Sequence, residues 1–188
     1  MTGCRQFLGI NETCCALADA ATAVLKVPYE GGVSFGQGAA GAPDAVIAAS
    51  QYLELYDEEL CCEPYRTGIC TVDAPELGDT PESMVEAVYA ATAELLELGK
   101  FVVTLGGDHS ISSPCFAAHH EHFPQTGLIQ FDAHTDLRDS FEGSRLSHAC
   151  VMARMRERTE HTLQLGIRSM SAEEAERIRR DRMVVATM

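Results

Sequence analysis

Short apolar runs alternate with helix-period stretches along this chain, and the alternation sets the fold class. Residues 22–29, ending Val24-Leu25-Lys26-Val27-Pro28-Tyr29, predict a first strand, followed by a glycine-rich loop over 30–41. Pro43 suits the first turn of a helix running to about Leu53, and 69–73 predicts a short second strand. Thr80 is a cap and Pro81 a first helical residue, while Gly99 marks the exit of that helix. Met84, Val88, Leu95 and Leu98, with Ala91 between, form its predicted apolar stripe. Phe101 to Leu105 and residues 126–131 predict two more strands, separated by a helix entered at Ser113-Pro114. Ser147 caps a further helix with His148 in its first turn, and 161–167 is a strand. Ser171 and Glu174 form a capping box that opens a charged helix, and 183–188 begins a last strand. Strands alternating with helices predict an α/β fold, a mainly parallel sheet between helical layers in a three-layer αβα arrangement. In such sheets ligands gather beyond the carboxyl ends of the strands.

Two polar clusters stand at those ends. Gly106-Gly107-Asp108-His109-Ser110 follows one strand, and Phe131-Asp132-Ala133-His134-Thr135-Asp136 ends another. In an extended chain Asp132, His134 and Asp136 point the same way, and such a cluster is costly to desolvate unless a cation balances it. His109, Asp132, His134 and Asp136 are therefore the expected metal ligands. Imidazole and carboxylate donors without a thiolate favour a harder divalent ion, with manganese a good candidate. Asp132 has two oxygens and can bridge two ions, and paired cations activate water as a nucleophile. His148 is a candidate proton shuttle, since histidine titrates near neutrality. The dense run His119-His120-Glu121-His122 is set aside, because one- and two-residue spacing splays side chains around a helix. Arg177, Arg179 and Arg180 read as a solvated helix face, and Asp139 and Glu142 as loop residues near the site without assigned roles.

The composition narrows the function further. The chain has 188 residues and a net charge of -14, which disfavours nucleic acid and anionic membrane surfaces and favours cationic small molecules. No leader pattern or membrane-spanning run is present, so a cytoplasmic protein is expected. The cysteines at 4, 14, 15, 61, 62, 70, 115 and 150 lack zinc spacing and are expected as thiols.

The two polar clusters resemble signature motifs of the ureohydrolases, the family of arginase and agmatinase. Val27-Pro28-Tyr29-Glu30 with Ser34-Phe35-Gly36, and Leu163 to Ser169, resemble further segments of that family. Asp136-Leu137-Arg138-Asp139 and the stretch from Glu142-Gly143 to Met152 look most like agmatinases. The resemblance implies an arginase-like fold in one domain over 1–188, with two Mn(2+) per active site in the complete enzyme. His109 and Asp136 would hold one ion, His134 the other, and Asp132 both. His148 would aid substrate binding or proton transfer, and Ala149 departs from the glycine common after that histidine. The implied reaction converts agmatine, a small cationic guanidino compound, to putrescine and urea, a step of polyamine biosynthesis. The complete enzyme would be a homo-oligomer.

The family's later Asp-x-Asp motif and its acidic guanidinium residue find no counterpart in this sequence, and Asp181 stands in the wrong context. The expectation is an N-terminal fragment with its C-terminal strands missing and a half-built two-ion site. Two alternatives stand beside it: hydrolysis of formimidoylglutamate or guanidinobutyrate, and a catalytically incomplete chain that binds metal weakly.

Overall fold

The computed structural model describes residues 5–10 and 15–187. The expectations for Cys4 and Cys14, and for Met188 at the end of the last strand, lie outside the described residues. Main-chain packing divides the chain into two compact units, Met1–Asp108 and His109–Met188.

The first unit is built on strand β1 (Thr22–Val27), which pairs in parallel with β2 (Ile69–Asp73) on one edge and β3 (Phe101–Gly106) on the other. A central parallel strand is buried on both faces, which demands a continuous apolar run. Ala23, Val24, Leu25 and Val27 supply it and are all buried. Helices α1 (Ala42–Ser50) and α2 (Pro81–Glu97) pack against this sheet. The cap of α2 forms as expected: Thr80 Oγ1 accepts from the Ser83 amide at 3.1 Å, and Ser83 Oγ accepts from the Thr80 amide at 3.1 Å. The helix buries Met84, Val88, Thr92, Leu95 and Leu96. The expected stripe needs one correction, since Leu98 is 52% exposed. It follows the last helical residue, so helical periodicity no longer aims it at the core. Thr92 takes a core position because its hydroxyl donates to the Val88 carbonyl at 2.8 Å. The glycine-rich loop is tied back by Glu30, whose carboxylate accepts from the amides of Gly38 (2.9 Å) and Ala40 (3.1 Å). Those bonds hold its carboxyl below the usual glutamate range. Gly107 is required by close approach: a Cβ there would lie 2.3 Å from the Tyr29 carbonyl oxygen and 2.7 Å from that of Ala39.

In the second unit β4 (Leu128–Phe131), β5 (Thr162–Ile167) and β6 (Val184–Thr187) form another parallel sheet in that order. Helices α3 (Ser112–His122), α4 (Val151–Met155) and α5 (Ala172–Arg180) complete the unit. Phe116, Leu137, Val151, Met152 and Met155 form its core, with Leu128, Ile178 and Met183 packed against it. On one face of the sheet the register aligns Ile129, Leu163 and Val184 in one row and Phe131, Leu165 and Ala186 in the next. Ile129, Phe131 and Val184 are 59%, 80% and 62% exposed.

The arginines of α5 depart from expectation. Arg179 and Arg180 are solvated, but Arg177 turns inward and donates to the Leu137 carbonyl at 2.9 Å. Asp139 is an ion-pair centre, meeting Arg145 at 2.6 Å and Arg154 at 2.8 Å. The histidines of α3 have local uses. His119 Nδ1 lies 2.8 Å from the Cys115 carbonyl oxygen, and the His120 ring stacks on Phe116. The six described cysteines are thiols. Among the described residues no helix is long and apolar enough to cross a membrane.

Candidate metal centre

The chain leaves β4 at Phe131 but stays beside β5 for three more residues. The Asp132 amide donates to the Leu165 carbonyl at 3.1 Å, and the amides of Arg168 and Ser169 donate to the Ala133 carbonyl at 2.8 and 3.0 Å. His134 then bridges to Ser169. Beyond that point the backbone turns. Asp136 adopts φ 50°, the left-handed region that L-residues seldom occupy. The turn is held from behind by Glu174, which is 5% exposed. Its Oε1 accepts from Thr135 Oγ1 at 2.8 Å and from the Leu137 amide at 2.9 Å, so it clasps both neighbours of Asp136. Its Oε2 accepts from the Ser171 amide at 2.7 Å, completing the predicted capping box. Burial alone would raise the Glu174 carboxyl; the hydrogen bonds from Ser171, Thr135 and Leu137, with nearby Arg138, outweigh it and hold the carboxyl below the usual glutamate range.

His109 opens the short 3-10 turn His109–Ile111 that leads into α3. Its Nδ1 lies 3.0 Å from Asp136 Oδ2 and 3.6 Å from Asp132 Oδ2. One donor atom from each of His109, Asp132 and Asp136 falls within 4.8 Å of the other two. That spread matches about twice a divalent metal–ligand bond of roughly 2.0–2.4 Å, so the trio fits one such ion. The donor set is two carboxylates and one imidazole, which suits manganese-type ions better than a thiolate site would.

His134 does not join this trio. Its side chain is 65% exposed and reaches Asp132 Oδ1 from Nδ1 at 3.4 Å. The three side chains of the run thus do not converge on a single point, and the resemblance assigns His134 to a separate ion beside the shared Asp132. Asp132 Oδ1 also accepts from the His134 amide at 2.7 Å, so the carboxylate braces its own loop.

A cavity of about 260 Å³ adjoins the trio and is lined by His134, Asp136, Arg138, Phe141, His148 and Glu174, among others. His148 thus lines the same cavity as His134 and Asp136. Ser147 caps its turn, accepting from the Ala149 amide at 3.4 Å. The His148 ring meets Phe141 edge-on at 5.6 Å, with Nδ1 3.4 Å from Ser147 Oγ. Arg138 lies over the Phe141 ring at 5.0 Å, and its Nε is 4.0 Å from Glu174 Oε2.

Three residues escape the motif reading. Glu174 is visible in the sequence only as a capping residue, and the buried amides Gln130 and Gln164 read as ordinary strand positions. The available signal was the placement of two glutamines inside otherwise apolar strands, since buried polar side chains need partners.

Known proteins resemble this chain in sequence and in fold. The chain is 41% identical to the N(1)-aminopropylagmatine ureohydrolase of Synechocystis sp. over 187 residues, covering 95% of the chain and 60% of the relative. It is 32% identical to the agmatinase of Bacillus anthracis, covering 81% of the chain and 54% of that protein. The crystal structure of the agmatine ureohydrolase of Thermoplasma volcanium superposes with a TM-score of 0.85 at 26% identity, covering 100% of this chain and 62% of that one. The chain therefore has the arginase-type α/β fold and spans a little over half the length of the curated relatives it matches. A sequence model of the Arginase family matches residues 20–188, and the chain belongs to that family.

Proposed function

We propose that the protein is a metal-dependent hydrolase of a linear guanidino amine, releasing urea from agmatine or from agmatine extended by an aminopropyl group. The observation that carries this is the convergence of His109, Asp132 and Asp136 beside a cavity that also holds His148. Relatives named as agmatinases and as aminopropylagmatine ureohydrolases support the substrate class. A chain of net charge -14 attracts such cations.

His109, Asp132 and Asp136 would hold the first divalent ion, manganese by donor type, and His134 with Asp132 Oδ1 would serve a second. When bound, such ions supply the Lewis acidity that makes water nucleophilic at neutral pH. The chain's own groups do the rest. Glu174 fixes the backbone on both sides of Asp136. Phe141 gives the cavity an apolar wall. His148 offers an imidazole nitrogen to carry the proton that the departing amine requires. Cytoplasmic placement, homo-oligomerisation and membership of polyamine synthesis belong to the same proposal.

The test is urea release by the protein expressed from its whole gene, loaded with Mn(2+) and supplied separately with agmatine, N(1)-aminopropylagmatine, guanidinobutyrate and formimidoylglutamate (formamide release for the last). Turnover of an agmatine-type amine is the expected outcome; no product from any of the four refutes the reading.

A further inference from the structure

Behind Asp136 lies a buried pair of amides that the proposed chemistry does not use. Gln130 in β4 and Gln164 in β5 are direct register partners, 7% and 0% exposed. Gln164 Nε2 donates to the Thr135 main-chain carbonyl at 2.8 Å and to Gln130 Oε1. Gln130 Nε2 in turn donates to Asp136 Oδ2 at 3.1 Å.

The direction of this relay is fixed at its far end. A main-chain carbonyl can only accept, so Thr135 requires the N–H side of the Gln164 amide. Both N–H groups of Gln164 are thereby aimed at oxygens, and its own Oε1 has no hydrogen-bond partner. Turning the amide over would set Oε1 against the Thr135 oxygen. Gln130 must then present its oxygen to Gln164, which leaves its NH2 group facing Asp136. A strand-centre amide without this lock could offer the carboxylate either end. With it, Asp136 Oδ2, the oxygen 3.0 Å from His109, always meets a donor.

We infer that Gln130, locked by Gln164, is a positioning residue that sets the orientation of the Asp136 carboxylate for a divalent ion. The inference rests on the metal reading above. Neither amide joins the ligand trio; Gln130 acts on a ligand, and Gln164 acts on Gln130. Groups that orient metal ligands in this way typically change metal affinity ten- to a hundredfold when removed.

The experiment is calorimetric titration of Mn(2+) alone into the full chain, wild type against Gln130→Met and Gln164→Met, with folding checked by circular dichroism and melting in chelator. Methionine keeps the length of glutamine and cannot donate. Gln130→Met is expected to bind Mn(2+) ten- to a hundredfold more weakly, and Gln164→Met to lose less, because the direct bond to Asp136 survives. A purely structural role would lower the melting midpoint in chelator and leave affinity alone. Folded Gln130→Met with affinity within twofold of wild type overturns the inference while leaving the metal site standing. If Gln130→Met does not fold, Gln130→Asn, one methylene short of Asp136, must show the same loss. If neither folds, the amide is a folding element and the positioning role falls. A wild-type chain that takes up no Mn(2+) removes the metal reading and this inference together.

Discussion

Replacing Glu174 separates two jobs that one carboxylate performs. Oε1 holds Thr135 Oγ1 and the Leu137 amide, while Oε2 holds the Ser171 amide. Glu174→Ala removes all three bonds. Hydrogen bonds to a charged group contribute about 1.5–3 kcal/mol each, so the gross loss is roughly 4.5–9 kcal/mol. Removing a buried charge relieves its desolvation, which offsets part of that sum, and the expected net loss is about 3–5 kcal/mol. Glu174→Gln keeps an oxygen for Thr135 and Leu137 but turns an NH2 group toward the Ser171 amide. It forfeits one bond and half of the capping box, an expected loss of about 1–2 kcal/mol. Urea unfolding followed by circular dichroism, in chelator so that metal does not contribute, gives both values. Equal losses for the two variants, or a loss below about 1 kcal/mol for alanine, would refute the division of labour between the oxygens.

Three further outcomes follow from particular contacts. Its hydrogen bonds hold the Glu174 carboxyl below the ordinary glutamate value of about 4.5, so its contribution is complete above that pH and declines as pH falls through the lower folded value; an acid titration of stability should show this fall in wild type and lose that component in Glu174→Gln. Met84→Ala empties a fully buried site in α2 and should cost about 2–5 kcal/mol in urea unfolding, with a loss under 1 kcal/mol contradicting a tightly packed first unit. Gly107→Ala forces a methyl group against two carbonyl oxygens and should destabilise by about 1–3 kcal/mol or more; a neutral thermal melt would show that the approach is looser than described.

Much of this was legible in the sequence, for identifiable reasons. Residues 69–73 emerge as a strand with the bounds read from the chain, because β-branched and apolar residues there are bounded by glycine and by Ala74-Pro75. Helix α2 was legible at both ends, because capping is a local interaction encoded by Thr80 and Gly99. The meeting of His109 with Asp132 and Asp136 was legible because two carboxylates and an imidazole at strand ends have few other uses. What was not legible depends on backbone turns and on distant partners. The left-handed turn at Asp136 is one such feature, and nothing in its residue type announces it. Arg177 turns inward toward a carbonyl 40 residues away, although its helix is strongly charged. The roles of Gln130, Gln164 and Glu174 exist only once β4, β5 and α5 are brought together.

The rows Ile129–Leu163–Val184 and Phe131–Leu165–Ala186 have a consequence for handling the molecule. They make a greasy plate on a sheet whose strand ends carry Asp132 and His134, so one sheet bears polar groups at its rim and an apolar wall across its breadth. Each 100 Å² of that wall shielded from water returns about 2.5 kcal/mol. Apolar dyes and detergents should therefore settle on this plate, whatever the overall acidity of the chain.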